Sequence, residues 1–106
     1  MTRSKVIVGC VAALMFTTNA GAQESFAPEQ IAKGSAIYSQ TCSPCHGPRM
    51  ADPQGAFDLR TFPPDQKNRF LTSVTKGKSS MPPWGGLYSA EEIETLWAYV
   101  MAGEKK

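Results

Sequence analysis

The 106-residue sequence predicts an all-α domain of about three main helices, and three observations predict it. Apolar residues recur at helical spacing in three separate stretches, Ile31 to Tyr38, Phe70 to Val74 and Ile93 to Val100. Helix punctuation brackets those stretches: Pro28 before the first, Gly77 after the second, Ser89 and Gly103 at the two ends of the third. No run alternates apolar and polar residues in the manner of a half-buried strand, and no hairpin signal appears.

The chain opens like an export signal. Arg3 and Lys5 make a short basic start, Val6 to Phe16 run 11 residues without a charge, and Ala20-Gly21-Ala22 offers small residues for cleavage before Gln23. Residues 1–22 are therefore expected to be a cleaved secretory signal peptide, and residues 23–106 one small mature domain of 84 residues. A retained span would need about 20 apolar residues, and Thr17, Thr18 and Asn19 interrupt this one. Cys10, after Ile7-Val8-Gly9, has the look of a lipoprotein box, but the apolar stretch before it is too short, so it is assigned to the leader. Loss of Arg3 and Lys5 takes the 11 basic and 9 acidic residues of the full chain to a balance of nine each. The basic precursor thus gives no reason to expect nucleic acid, and no Arg/Lys cluster with interleaved aromatics appears. Docking to any partner must rest on local charge.

The first helix is expected from Pro28, a residue suited to the first helical position because its missing N–H is not needed there. Glu29 in that turn favours the helix dipole. Gly34 inside the helix costs about 1 kcal/mol against alanine, which points to close approach of another helix. Gly47 to Pro63 reads as a loop with Phe57, Leu59 and Phe62 as apolar plugs. Pro63-Pro64-Asp65 is expected to open the second helix, which runs to about Lys76 with Phe70, Leu71 and Val74 on its buried stripe. The segment from Lys78 to Gly86 cannot be helical, because Pro82-Pro83 fixes φ and pushes Met81 toward an extended conformation. Ser89-Ala90-Glu91-Glu92 is a capping box for the last helix, whose buried face is Ile93, Leu96, Trp97 and Val100.

The chemistry is concentrated in Cys42-Ser43-Pro44-Cys45-His46. Two cysteines three apart, followed at once by histidine, are the attachment signature of a c-type haem. On a helical turn, positions i, i+3 and i+4 share a face, so both thiols can form thioethers and His46 can approach the iron from the same side. Two other readings exist. A thioredoxin-like pair belongs beside a βαβ pattern, which is missing. A structural zinc takes four Cys/His ligands, and the mature chain has only Cys42, Cys45 and His46. Export also fits, since an oxidising compartment would otherwise let the two thiols close on each other. A mature chain this short is near the size below which an apolar core alone is marginal. A large covalently held macrocycle would make up the shortfall.

Taken with Gly34 and Tyr38 before the motif, Gly77, Met81-Pro82 in a loop, and Leu96-Trp97-Ala98-Tyr99-Val100 in the last helix, these residues resemble the class I cytochromes c, specifically the small single-haem bacterial ones. The resemblance implies a cytochrome c-like fold wrapped around one covalently bound haem c. It implies a crossing of first and last helices, Gly34 and Tyr38 against Leu96 and Tyr99. It also implies a proline carbonyl behind His46, for which Pro48 and Pro53 are candidates and Pro53 the favoured one.

With a single histidine, bis-histidine ligation within one molecule is excluded, and methionine is the next sixth ligand to expect. Met50 stands too close to His46 to reach the opposite face, and Met101 sits on the last helix as a core filler. Met81 lies in a stiff loop and is followed by proline, as in the family. The expected cofactor-binding set is therefore Cys42, Cys45, His46 and Met81, with His46 and Met81 on the metal and no catalytic residue. The alternative for Met81 is mere packing with a five-coordinate iron. Trp84 is expected to cap the haem pocket. Arg60, Arg49 and Lys67 are the candidate partners of the haem propionates.

The function so implied is that of a periplasmic electron-transfer protein, not an enzyme, working with redox protein partners: a dehydrogenase or reductase as donor and an oxidase or other terminal acceptor. It is expected to be monomeric, without a stable membrane span after cleavage. A second reading is a dedicated cytochrome c subunit or electron acceptor of a quinoprotein (PQQ) alcohol dehydrogenase, on the likeness of Met81-Pro82-Pro83-Trp84-Gly85 and the last helix. A third is a haem peroxidase or gas-binding sensor, which needs an open distal position.

Overall fold

A computed structural model of the chain describes residues 25–53 and 55–104. The expected leader, its cleavage site and Cys10 lie outside those residues, as do Lys105 and Lys106. Four α-helices follow in order: α1 (Pro28–Thr41), α2 (Ser43–His46), α3 (Lys67–Lys76) and α4 (Ala90–Ala102). Short 3-10 turns at Pro48–Met50 and Leu59–Thr61 interrupt the long connection from α2 to α3. The described residues contain no strand, only an isolated bridge between Lys78 and Met81.

α1 begins at Pro28 as the sequence requires, with the Gln30 side-chain oxygen accepting from the Ala27 N–H at 3.2 Å. α4 has the expected capping box: Ser89 N–H donates to Glu92 Oε1 at 2.9 Å, and Glu92 N–H to Ser89 Oγ at 3.1 Å. α3 starts later than expected. Pro64 disfavours helical geometry at Pro63, and Pro63 to Gln66 instead form a turn closed by Gln66 N–H on the Pro63 carbonyl at 3.1 Å. Gln66 itself has φ −120° and ψ 45°, so the helix waits for Lys67.

The frame is the crossing of α1 over α4. Gly34 lies against the backbone of α4: a Cβ there would overlap the Thr95 carbonyl and come 2.9 Å from Tyr99 Cβ. Tyr38 meets Tyr99 with ring centroids 5.1 Å apart. The expected helix contact is thus present, with Thr95 rather than Leu96 under the glycine. Burial raises the pKa of both phenols, that of Tyr38 to about 12, so both stay neutral near pH 7 and Tyr38 remains a donor. α3 packs on the other side of α4 through an aromatic cluster, Phe70 to Trp97 at 5.3 Å and Phe62 to both Phe70 (5.6 Å) and Trp97 (6.0 Å). Pairs in this range add about 0.5–1.5 kcal/mol beyond their buried area.

Gly34→Leu is expected to cost more than its helix propensity returns. Backbone on the facing helix cannot move aside as a side chain could, so the loss should reach or exceed the ~1–3 kcal/mol typical of overpacking. Thermal melting of the loaded protein reads this directly, and an unchanged midpoint would refute the α1–α4 contact.

Candidate functional site

The loop after α2 explains how the histidine is aimed. Cys42, in αR geometry at φ −102°, links α1 to the single turn of α2, and Gly47 ends that turn at φ 90°. Arg49 and Met50 then adopt left-handed conformations, φ 56° and 64°. Two side-chain bonds help hold this costly backbone: Tyr38 Oη donates to the Gly47 carbonyl at 2.6 Å, and Arg60 Nε to the Met50 carbonyl at 2.9 Å. Met50 is thereby swallowed whole by the core, with no exposed surface.

His46 Nδ1 lies 2.9 Å from the Phe57 carbonyl oxygen. A carbonyl can only accept, so Nδ1 carries the proton and Nε2 keeps the lone pair that a metal would take. The proline expectation fails here for a local reason. The Pro48 carbonyl is used by Ala51 N–H at 2.9 Å, and that of Pro53 by Gly55 N–H at 2.8 Å. Phe57, which sequence reasoning treated only as an apolar plug, supplies the acceptor through its backbone, an atom no residue-type pattern can flag.

Between α1, α3, α4 and the two long loops lies a cavity of about 640 Å³, within the ~300–1,000 Å³ of small-molecule and cofactor sites. Its walls are mainly apolar, from Tyr38, Phe62, Phe70, Val74, Leu96 and Val100, and Cys42, Cys45, His46 and Met81 all line it. Burial, reinforced by the neighbouring Cys45 sulfur, pushes the Cys42 thiol up to about 12. The two sulfurs are not joined to each other in a disulfide. Trp84, half-buried, forms part of the wall as expected of a cap. Arg60, Arg49 and Lys67 do not line the cavity: Arg60 is engaged with Met50, and Lys67 pairs with Glu94 at 2.9 Å. The cations that do are Arg69 and Lys78, neither singled out by the sequence. Arg69 stacks over the Phe62 ring, 4.7 Å from its centroid, a position visible only once the loop has folded back onto α3. Among the described residues no three His, Cys, Asp or Glu side chains come together to hold an ion.

The Met81 loop is pinned at both sides of its prolines. Lys78 N–H donates to the Met81 carbonyl at 3.0 Å and Met81 N–H to the Lys78 carbonyl at 2.9 Å. Trp84 N–H reaches the Val74 carbonyl at 2.8 Å and Gly85 N–H that of Thr75 at 3.0 Å. Gly77, at φ 82°, lets the loop fold back: a Cβ there would stand 2.7 Å from the Met81 carbonyl oxygen.

Among the described residues, helices and loops enclose a large apolar cavity with sulfur and imidazole side chains on its walls, an architecture suited to a flat organic cofactor. Comparison with known proteins says which. Residues 29–100 match the family described as cytochrome C oxidase, cbb3-type, subunit III. Cytochrome c6 of Microcystis aeruginosa is 36% identical over 78 residues, which is 69% of this chain and 96% of that protein. Cytochrome c6 of Rippkaea orientalis is 33% identical over 67% of this chain and 68% of its own length. Quinohemoprotein alcohol dehydrogenase ADH IIB of Pseudomonas putida is 35% identical over 74% of this chain but only 12% of its own. The chain belongs to the small class I single-haem cytochromes c. Its cofactor is one covalently bound haem c, its role is electron transfer, and it is a carrier rather than an enzyme. The cavity fits that group in size, in apolar lining and in the two thiols at its wall. No helix of the described residues is long and apolar enough to cross a membrane.

Proposed function

We propose that Cys42 and Cys45 would hold the haem by thioether bonds and that His46 and Met81 would ligate its iron, in a periplasmic electron carrier matured by removal of residues 1–22. One observation supports the ligand set above all. The described residues hold one histidine and three methionines, and of the methionines Met81 alone lines the cavity that His46 lines. Met50 is buried in the core and Met101 packs against its edge.

The iron of the bound haem supplies the chemistry, the uptake and release of one electron. The chain's work is to keep that site unchanged through the cycle. The Phe57 carbonyl fixes the His46 tautomer and makes it a stronger donor. The doubly pinned Pro-Pro loop holds Met81 in place, so little has to reorganise. The apolar walls keep water from the macrocycle, which disfavours the extra positive charge of the oxidised state. Arg69 and Lys78 place positive charge at a cavity whose lining, among the described residues, holds no carboxylate, and would compensate the haem propionates there.

Oxidised and reduced optical spectra of the purified protein, with and without carbon monoxide, test the reading together with the mass of the Cys42–His46 peptide. A haem-bearing peptide and a reduced spectrum indifferent to carbon monoxide are expected. Extractable haem or a carbon monoxide adduct would refute it. The mass of the intact exported protein tests cleavage before Gln23.

The 83-residue match to the quinohemoprotein alcohol dehydrogenase favours a second reading, a dedicated acceptor or subunit of a quinoprotein alcohol dehydrogenase. Gel filtration of native extract separates the two: a free carrier runs as a monomer, a subunit with its dehydrogenase.

A further inference from the structure

The bonds that pin the Met81 loop described above run within the loop or to the end of α3. A further bond reaches the opposite wall. The hydroxyls of Tyr88 and Thr41 lie 2.6 Å apart, across 47 residues of sequence. Thr41 is the last residue of α1, next to Cys42, and lines the cavity. Tyr88 stands at the far end of the loop, with its ring 6.5 Å from that of Trp84, another wall residue. Leu87 and Tyr88 N–H both return to the Trp84 carbonyl at 3.0 Å, so the stretch from Trp84 to Tyr88 is one compact turn. Both hydroxyl-bearing residues are half-buried, where water competes less for the bond.

We propose that the Tyr88–Thr41 hydroxyl pair is a clasp that holds the Met81 loop closed onto the haem-attachment segment, making Tyr88 and Thr41 positioning residues for the sixth ligand. Tyr88 joins the loop to the α4 cap at Ser89, so the hydroxyl pair ties the α4 end of the loop to the residue before Cys42, and an outward swing that carries Tyr88 with it must part these hydroxyls. The clasp adds its net free energy to the closed state only, so its removal raises the open fraction by that factor and leaves the ligands themselves untouched. One ordinary hydrogen bond corresponds to about a fivefold change. Nothing in the residue types announces this: Thr41 precedes the Cys-X-X-Cys-His string as a neutral polar residue, and Tyr88 precedes a helix cap.

The inference rests on ligation by Met81, and the experiment keeps the two apart. Imidazole is titrated into the oxidised holoprotein, where it competes with the sixth ligand. Tyr88→Phe and Thr41→Val are each expected to bind it about fivefold more tightly. The double variant should bind it no better than either, since both changes break one bond. Thr41→Ser, which keeps the hydroxyl, should return to wild type. Tyr99→Phe is the control: it also loses a tyrosine hydrogen bond, to Glu104 Oε2 at 2.7 Å, but at the other end of α4. It should leave imidazole affinity unchanged whatever it does to melting. Wild-type affinity in both Tyr88→Phe and Thr41→Val, or an equal gain in Tyr99→Phe, overturns the clasp. If Met81→Ala binds imidazole no better than wild type, ligation by Met81 is what fails. If Met81→Ala binds it far more tightly while Tyr88→Phe does not, the clasp alone falls.

Discussion

Without its two thioether cysteines, Cys42→Ala/Cys45→Ala protein made in the absence of haem is expected to lose its cooperative fold. The side chains that form the core also form the wall of the cavity: Tyr38, Phe62, Phe70, Val74, Leu96 and Val100 each face both. Emptied of its macrocycle, that wall has no packing partner. An unrelaxed cavity costs about 24 cal/mol per Å³, so a void near 640 Å³ corresponds to on the order of 15 kcal/mol. Collapse and entry of water from the open side reduce that figure, yet even a third of it equals the lower end of the ~5–15 kcal/mol that holds an ordinary domain together. α3 meets α4 through the Phe70–Trp97 ring pair, and Phe70 is itself part of the cavity wall. Circular dichroism should show reduced helix and a broad melt, and added hemin should restore part of the helix, since His46 and the apolar walls remain. A sharp native-like melt in the haem-free double variant would show that the peptide alone makes the fold.

How far the sequence reached follows from what kind of interaction each feature uses. Features carried by residue type at fixed spacing were legible: the capping box at Ser89 and Glu92, the stop at Gly77, and the close approach at Gly34. Cys42, Cys45, His46 and Met81 stood out for the same reason, each being a distinctive side chain, and all four line the described cavity. Features carried by backbone atoms were not. The acceptor for His46 is the carbonyl of Phe57, and any residue has a carbonyl. The proline guess failed because both candidate carbonyls close tight turns of their own. The start of α3 slipped from Pro63 to Lys67, since two prolines permit a turn as readily as a first helical turn. Arg69 and the Tyr88–Thr41 pair escaped because long-range contacts between ordinary polar residues leave no periodic trace.

Met81→Ala is the second large effect. His/Met ligation raises the potential of a c-type haem because a thioether stabilises the reduced metal over the oxidised one. Alanine leaves that face to water or to an added ligand. The midpoint should fall by roughly a tenth to a quarter of the ~0.8 V range over which axial ligands set haem potentials. The reduced protein should then bind carbon monoxide, which the parent is expected to exclude. The loop itself should stay in place. Its anchors are backbone bonds from Lys78, Met81, Trp84 and Gly85 that alanine at position 81 still makes, and Pro82-Pro83 stiffens it regardless. Melting should therefore change far less than potential does, which separates loss of a ligand from loss of structure. Met101→Ala provides the contrast. Met101 packs against the core from the last turn of α4 and does not line the cavity. Its removal should cost about 2–5 kcal/mol if fully felt, less for a half-buried side chain, with potential and carbon monoxide exclusion preserved. Should Met101→Ala move the potential while Met81→Ala leaves it alone, the sixth ligand comes from α4, and the closed loop over the cavity is only a lid.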